Sequence, residues 1–235
     1  MRIVLIWLVL TMPCWAAASR SFDNVNDNVN IGNVLDVTTG DVSLACWNRP
    51  NDDAEADGIF GKKGDNSATT AGYAIRQNTT DASATTISDA TDQANDGSGV
   101  AMDDNWYFAA GTWTASTETS ENITNGSTNG GTAVLNVDSL SSTSNLMVGG
   151  YSGGGNDYNG EIAYCSVFLN VVFTEQQREE VRWFPDRPGI NSDGFWPLWG
   201  DSPEIDLSAN ANTGTMEGTT TSTDGPPVMF GEMIL

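Results

Sequence analysis

The chain of 235 residues contains no histidine. That removes the imidazole base of Ser-His-Asp and Cys-His nucleophile systems, and every imidazole metal ligand. Three cysteines are too few for a Cys₄ zinc site, and without histidine the mixed zinc sites fail as well. Basic residues are scarce: 9 Lys and Arg face 31 Asp and Glu, a formal net charge of -22. Such a chain repels phosphate backbones and anionic bilayer surfaces, which argues against nucleic-acid and plain membrane binding. Long apolar runs are missing too. The run Ile3 to Met12 is too short to cross a bilayer, so no membrane insertion is expected.

What is abundant is turn and strand chemistry. Gly, Thr, Asn and Ser number 25, 25, 22 and 20, which disfavours helix, while eight Trp and eight Phe argue against disorder. The length allows one large β domain with a sizeable core. The amino terminus reads separately. Met1-Arg2, the apolar run, Pro13 and Ala16-Ala17-Ala18 follow the order of a signal peptide over 1–18. The expectation is therefore a secreted protein with a single domain over 19–235; the alternative is a start codon placed too far upstream. Export removes Cys14 and leaves Cys46 and Cys165, an even pair and a disulfide candidate in an oxidising compartment. Two buried thiols that never bond are the alternative.

From Ser19 to Leu169 short alternating runs are separated by Gly, Asn, Asp and Ser clusters, the pattern of a sandwich or barrel. Strands are expected at 41–49, 58–63, 73–77, 84–88, 105–114, 146–151 and 160–169, with a hairpin turn at Asn125-Gly126. Trp47, Trp106, Phe108 and Trp113 fall inside strands and read as packing residues. Thr174 with Gln177 forms a capping box, so one helix is expected at about 175–184, stopped by Pro185. Phe195 to Leu198 reads as an edge strand.

Two loops carry candidate binding chemistry. Asp23 and Asp27, and separately Asn156 and Asp157, offer the hard oxygen donors that calcium takes, although neither follows an EF-hand and both types are ordinary turn residues. Tyr151, Asn156, Asp157 and Tyr158 surround a glycine-rich loop and combine flat rings with amide and carboxylate groups, as sugar sites do. The alternative is that both tyrosines close the end of the sandwich.

The first strand Ser21 to Asp27, the segment Val42 to Pro50, Asn105 to Thr112, Val148-Gly149-Gly150, Tyr158 to Ile162 and the capped helix occur in an order that resembles the laminin-G-like domains of the concanavalin A-like lectin/glucanase superfamily. Trp196-Pro197-Leu198 with Ser208 to Gly214 resembles a piece that precedes the first strand in such domains, here placed last. The resemblance implies an all-β, two-sheet antiparallel jelly-roll sandwich. It also implies that Cys46 and Cys165 are neighbours near the middle of one sheet, and that calcium is a frequent companion. Retaining glucanases of this superfamily carry Glu-x-Asp-x-x-Glu, or the same with one spacer fewer. Glu204 and Asp206 begin that pattern, but Ser208 and Ala209 stand where the second glutamate belongs. The segment then reads as a chance acidic alternation on the surface, and no enzyme is expected. Fold alone does not decide function. The expectation is a secreted, non-catalytic module that binds glycan or another surface ligand. The alternative is a structural subunit of a virion fibre, virion decoration or surface filament, packing as a homo-oligomer.

Overall fold

The computed structural model describes residues 18–51, 56–67, 69–80, 82–128, 133–134, 137, 139–186, 189–200 and 202–229. The expected signal peptide lies, from Met1 to Ala17, outside the described residues. The domain begins with β1 (Ser19–Asp23), β2 (Asn28–Gly32) and β3 (Val42–Pro50). A meander follows, made of β4 (Gly58–Lys63), β5 (Ala71–Gln77), β6 (Ala82–Asp89) and β7 (Gln93–Ala101). Next come β8 (Tyr107–Thr114), β9 (Thr119–Thr124), β10 (Ser127–Thr128), β11 (Ala133–Val134), β12 (Leu146–Val148) and β13 (Asn159–Leu169). Helix α1 (Glu175–Trp183) separates these from β14 (Gly194–Trp196), β15 (Thr215–Glu217) and β16 (Thr220–Ser222).

Among the described residues the strands form two antiparallel sheets. One runs β10-β9-β8-β3-β13-β1-β16, with β11 on β9 and β14 on β13; the other runs β15-β2-β12-β4-β5-β6-β7. This is the expected jelly-roll sandwich. The alternation of β3 explains its central place. Val42, Leu44 and Cys46 face the second sheet, while Ala45 and Trp47 face outward, and all five are buried. A strand buried on both sides needs a cover on both. The outward cover is α1, whose Val181 packs with Trp47, Phe108 and Phe168. Trp47 Nε1 donates to the Arg182 carbonyl at 3.0 Å. Burying each such large apolar side chain contributes about 1.5–3 kcal/mol. Thr174 caps the helix through the expected box: Gln177 N donates to its Oγ1 at 3.3 Å, and Thr174 N donates to Gln177 Oε1 at 2.8 Å.

Cys46 and Cys165 meet and form a disulfide, with Cα atoms 4.2 Å apart. A bulge brings them there. The β13–β3 register shifts between Ala163 and Ser166, so Tyr164 and Cys165 together oppose Cys46, with Tyr164 at φ +52°. Ala163 and Tyr164 therefore both face outward, and Cys165 returns to the inner face.

Three local expectations change. The strand expected to reach Tyr151 ends at Val148, because Gly149 takes φ +81° and a Cβ there would lie 2.2 Å from the Phe22 ring. Trp106 stands just before β8, half-buried, with the Arg49 guanidinium 5.7 Å from its ring centre. β7 was not expected at all: its Gln-Ala-Asn-Asp-Gly-Ser-Gly sequence reads as turn, yet it pairs with β6 as an edge strand.

Candidate functional site

Helix α1 covers the middle of the outer face of the larger sheet, while the outer face of the smaller one carries a groove. Its β2 alternates Asn28, Val29, Asn30 and Ile31: the apolar pair points into the core and the amides point out. Beside it on β15, Met216 packs inward while Thr215 and Glu217 face solvent. The result is a polar groove in two adjoining parts. The larger, about 440 Å³, is lined by Asn28, Asn30, Asn145, Thr213, Thr215 and Glu217, with Ile31 and Gly32. The smaller, about 230 Å³, shares Asn28, Asn30 and Glu217 and adds Asn26, Met147, Tyr151, Ser152, Gly154 and Asp157. Pockets of a few hundred Å³ suit small ligands or parts of larger ones.

The glycine-rich loop forms one wall and is firmly docked. Ser152 N donates to the Lys63 carbonyl at 3.1 Å, Gly153 N to the Gly64 carbonyl at 2.7 Å, and Tyr158 N to the Gly149 carbonyl at 2.9 Å. Ser152 Oγ accepts from Asn145 N at 2.9 Å. Both lysines of the chain lie near this face, fully buried. Lys63 Nζ donates to the Ser67 carbonyl at 2.8 Å, to Thr70 Oγ1 at 2.9 Å and to the Thr70 carbonyl. Burial pushes its ammonium down to about 8, with the Asp65 charge opposing. Lys62 Nζ reaches the Ser144 carbonyl at 2.8 Å, the Asn33 side chain and Asp36 at 3.4 Å.

The expected site residues divide. Asp157 lines the groove, and its Oδ2 accepts from Asn26 N at 3.1 Å. Asn156 is exposed at φ +56°, while its carbonyl accepts from Gly58 N at 3.2 Å. The two tyrosines do not form a surface platform. Tyr158 is 0% exposed, edge-on to Phe22 at 6.3 Å, and its hydroxyl donates to Asn48 Oδ1 at 3.4 Å. Tyr151 is 4% exposed and touches the groove at its floor; burial pushes its hydroxyl pKa above the usual range. Large rings gain more by closing the sandwich end than by standing in water.

Of the candidate calcium ligands, Asp23 and Asp27 come together in the turn that carries the chain from β1 in one sheet to β2 in the other. Asp27 Oδ2 accepts from Asp23 N at 2.8 Å, and Asp23 Oδ1 accepts from Val25 N at 3.0 Å. Burial raises the Asp27 carboxyl, and the negative charges of Asp23 and Asp157 add to this. Among the described residues no group of three or more acidic side chains stands close enough to hold an ion. The donor set fits calcium only as a carboxylate pair beside backbone groups.

Glu204 and Asp206 are not a surface alternation. They are 1% and 4% exposed, whereas Ile205 and Leu207 stand outside. The carboxylates are drawn inward by donors. Leu198 N reaches Glu204 Oε1 at 2.8 Å, Phe195 N and Ser208 N reach Asp206 Oδ1 at 2.9 and 2.8 Å, and Asn212 N reaches Asp206 Oδ2 at 2.8 Å. Arg20 Nη2 lies 3.3 Å from Glu204 Oε2 and also donates to the Gly200 carbonyl. These acids brace the carboxy-terminal segment. The groove residues Asn28, Asn30, Asn145 and Glu217 were not expected; the one legible signal was the Asn-Val-Asn-Ile alternation of β2.

A laminin-G-type family model, described as the concanavalin A-like lectin/glucanases superfamily, matches residues 23–177. No curated protein matches the chain in sequence. Among solved structures, a protein of Bacteroides ovatus provisionally described as carbohydrate-binding superposes with a TM-score of 0.69 at 15% identity, covering 93% of this chain. The chain spans 63% of that protein's length. The native heptameric SAP-like pentraxin of Limulus polyphemus gives 0.59 at 14% identity, covering 89% of this chain and 96% of its own. The CBM40 of a Ruminococcus gnavus sialidase gives 0.50 at 9% identity, covering 66% and 93%. At such identities the structures speak for the fold alone. The family match extends over more than half of the sequence and agrees with the two-sheet architecture, and the chain belongs to the concanavalin A-like lectin/glucanases superfamily.

Proposed function

We propose that the chain is a secreted, non-catalytic glycan-binding module, and that its binding face is the groove across β15, β2 and β12. The observation that carries this reading is the row of outward amides, Asn28 and Asn30, on the open face of the smaller sheet. Amides both donate and accept, as sugar hydroxyls do, and a rigid sheet holds them in place. The description of the Bacteroides ovatus protein, and the Ruminococcus gnavus module solved with α2,3 sialyllactose, support carbohydrate as the ligand class. The non-catalytic part rests on Glu204 and Asp206, whose oxygens are committed to backbone donors and to Arg20 inside the fold. Calcium enters the proposal at the Asp23–Asp27 pair, beside the Asp157 wall of the groove. A glycan array tests the reading: the parent retains a set of glycans and the Asn28→Ala/Asn30→Ala double variant loses them. Equal retention by both would place the ligand elsewhere.

The second reading, an assembly subunit, has one observation in its favour. Ile205 and Leu207 stand 58% and 55% exposed on one short segment. Sedimentation of the parent against Ile205→Ser/Leu207→Ser separates it: a particle that dissociates in the variant favours assembly, and a monomeric parent dismisses it.

A further inference from the structure

We infer that the groove selects uncharged glycans and rejects acidic ones, with Asp157 and Glu217 as the residues that set this preference; the inference rests on the glycan-binding reading. Both carboxylates line the smaller compartment, and Glu217 also lines the larger one. Among the described lining residues there is no lysine or arginine. The cations near this face are buried and engaged. Lys63 is held by Ser67 and Thr70, Lys62 by Ser144, Asn33 and Asp36, and Arg76 Nε donates to Thr86 Oγ1 at 3.0 Å. Each of the three is at most 9% exposed. In calcium-free protein a sialic acid, uronic acid or sulfate group entering the groove therefore meets two negative charges and no positive side chain, on a chain of net charge -22.

For an uncharged sugar the same two residues help. A carboxylate only accepts, and a hydroxyl can donate to it, while Asn28, Asn30 and Asn145 supply donors and acceptors in turn. One pair of side chains thus attracts hydroxyls and repels acids, which is how selectivity is built from an attractive and a repulsive element together. The two compartments share three residues, so one occupant can lie across both.

The test is an array carrying neutral glycans together with sialylated, uronic-acid-containing and sulfated forms of the same backbones, probed with the parent and with Asp157→Asn/Glu217→Gln. The expected result is retention of neutral glycans by the parent. The double variant loses two acceptors for neutral sugars, so the reading is the ratio of acidic to neutral binding on the same backbone, which should shift toward the acidic forms by at least about tenfold, measured at low salt where charge effects are largest. A parent that retains no glycan overturns the binding reading itself. A parent that prefers acidic glycans leaves that reading standing and overturns this one. So does a double variant that still rejects acidic forms as strongly as the parent. Circular dichroism of the variant confirms that the comparison is between folded proteins.

Discussion

Arg20 on β1 and Glu204, 184 residues later, form an ion pair with both side chains nearly withdrawn from water. Removing one partner of such a pair strands a buried charge and costs about 3–5 kcal/mol. Arg20→Ala should lose that much in urea unfolding at pH 7. The loss should depend on pH, and its sign follows from Glu204. Burial raises its carboxyl above the ordinary 4.5, while Arg20 holds it down. A raised carboxyl favours folding in its protonated form; its contribution is complete below about 4.5 and is lost as pH rises through the folded value. Without Arg20 that penalty grows, so the deficit of the variant should shrink when unfolding is repeated near pH 4.5. An equal deficit at both pH values would deny the pair its role. Calcium is tested at the same scale. At a hundredfold excess over its Kd a bound ion adds about 2.7 kcal/mol, so calcium should raise the melting temperature of the parent and leave Asp27→Asn unmoved. The burial of Glu204 and Asp206 was beyond the reach of sequence. The Glu-Ile-Asp-Leu alternation defines two faces without saying which is inside. The amides of residues 195, 198 and 212, brought near only by the fold, decide it.

The elements that could be read were those whose signal is local. The helix over Glu175–Trp183 follows from Thr174 and Gln177 alone, and β3 follows from Val42, Leu44 and Cys46 on one face with Pro50 at its end. Elements held by partners could not be read: β7 has glycines and little apolar pattern, and forms because β6 presents an edge to it. For the helix, Thr174→Ala removes the acceptor for Gln177 N and should cost about 1 kcal/mol. Hydrogen exchange of the first helical turn should report it, with the sheets unchanged. The disulfide between β3 and β13 closes a loop of 119 residues. On the chain-entropy estimate this contributes about 4–5 kcal/mol. Denaturant unfolding with and without reductant, and of Cys46→Ala/Cys165→Ala, should show a loss approaching that figure. The position of the pair in the sheet came through resemblance. The bulge at Tyr164, which carries Cys165 back to the inner face, left no mark in the sequence.

For the whole molecule the dominant physical fact is the charge of -22 with both lysines buried, so its exposed charges are overwhelmingly negative and repel one another. Two opposite trends with pH follow. As pH falls from 7, this repulsion weakens, and the raised carboxyls of Asp27 and Glu204 regain stability as they approach protonation. Asp65 works the other way. Thr70 and Ser67 donate to its carboxylate and hold it below the ordinary 3.8. A lowered carboxyl contributes above its unfolded value and loses that contribution as pH falls through the folded one, so the loop over 65–70 weakens in stronger acid. Thermal stability should therefore rise from pH 7 to a maximum near pH 4–5 and decline below about 3.8. Salt offers an independent reading of the same cause. At 1 M sodium chloride the Debye length falls to about 3 Å, so salt should raise the melting temperature clearly at pH 7 and much less at pH 4.5, where many of the charges are already gone. A salt effect of equal size at both pH values would show that preferential exclusion, not charge repulsion, controls the stability of the sandwich.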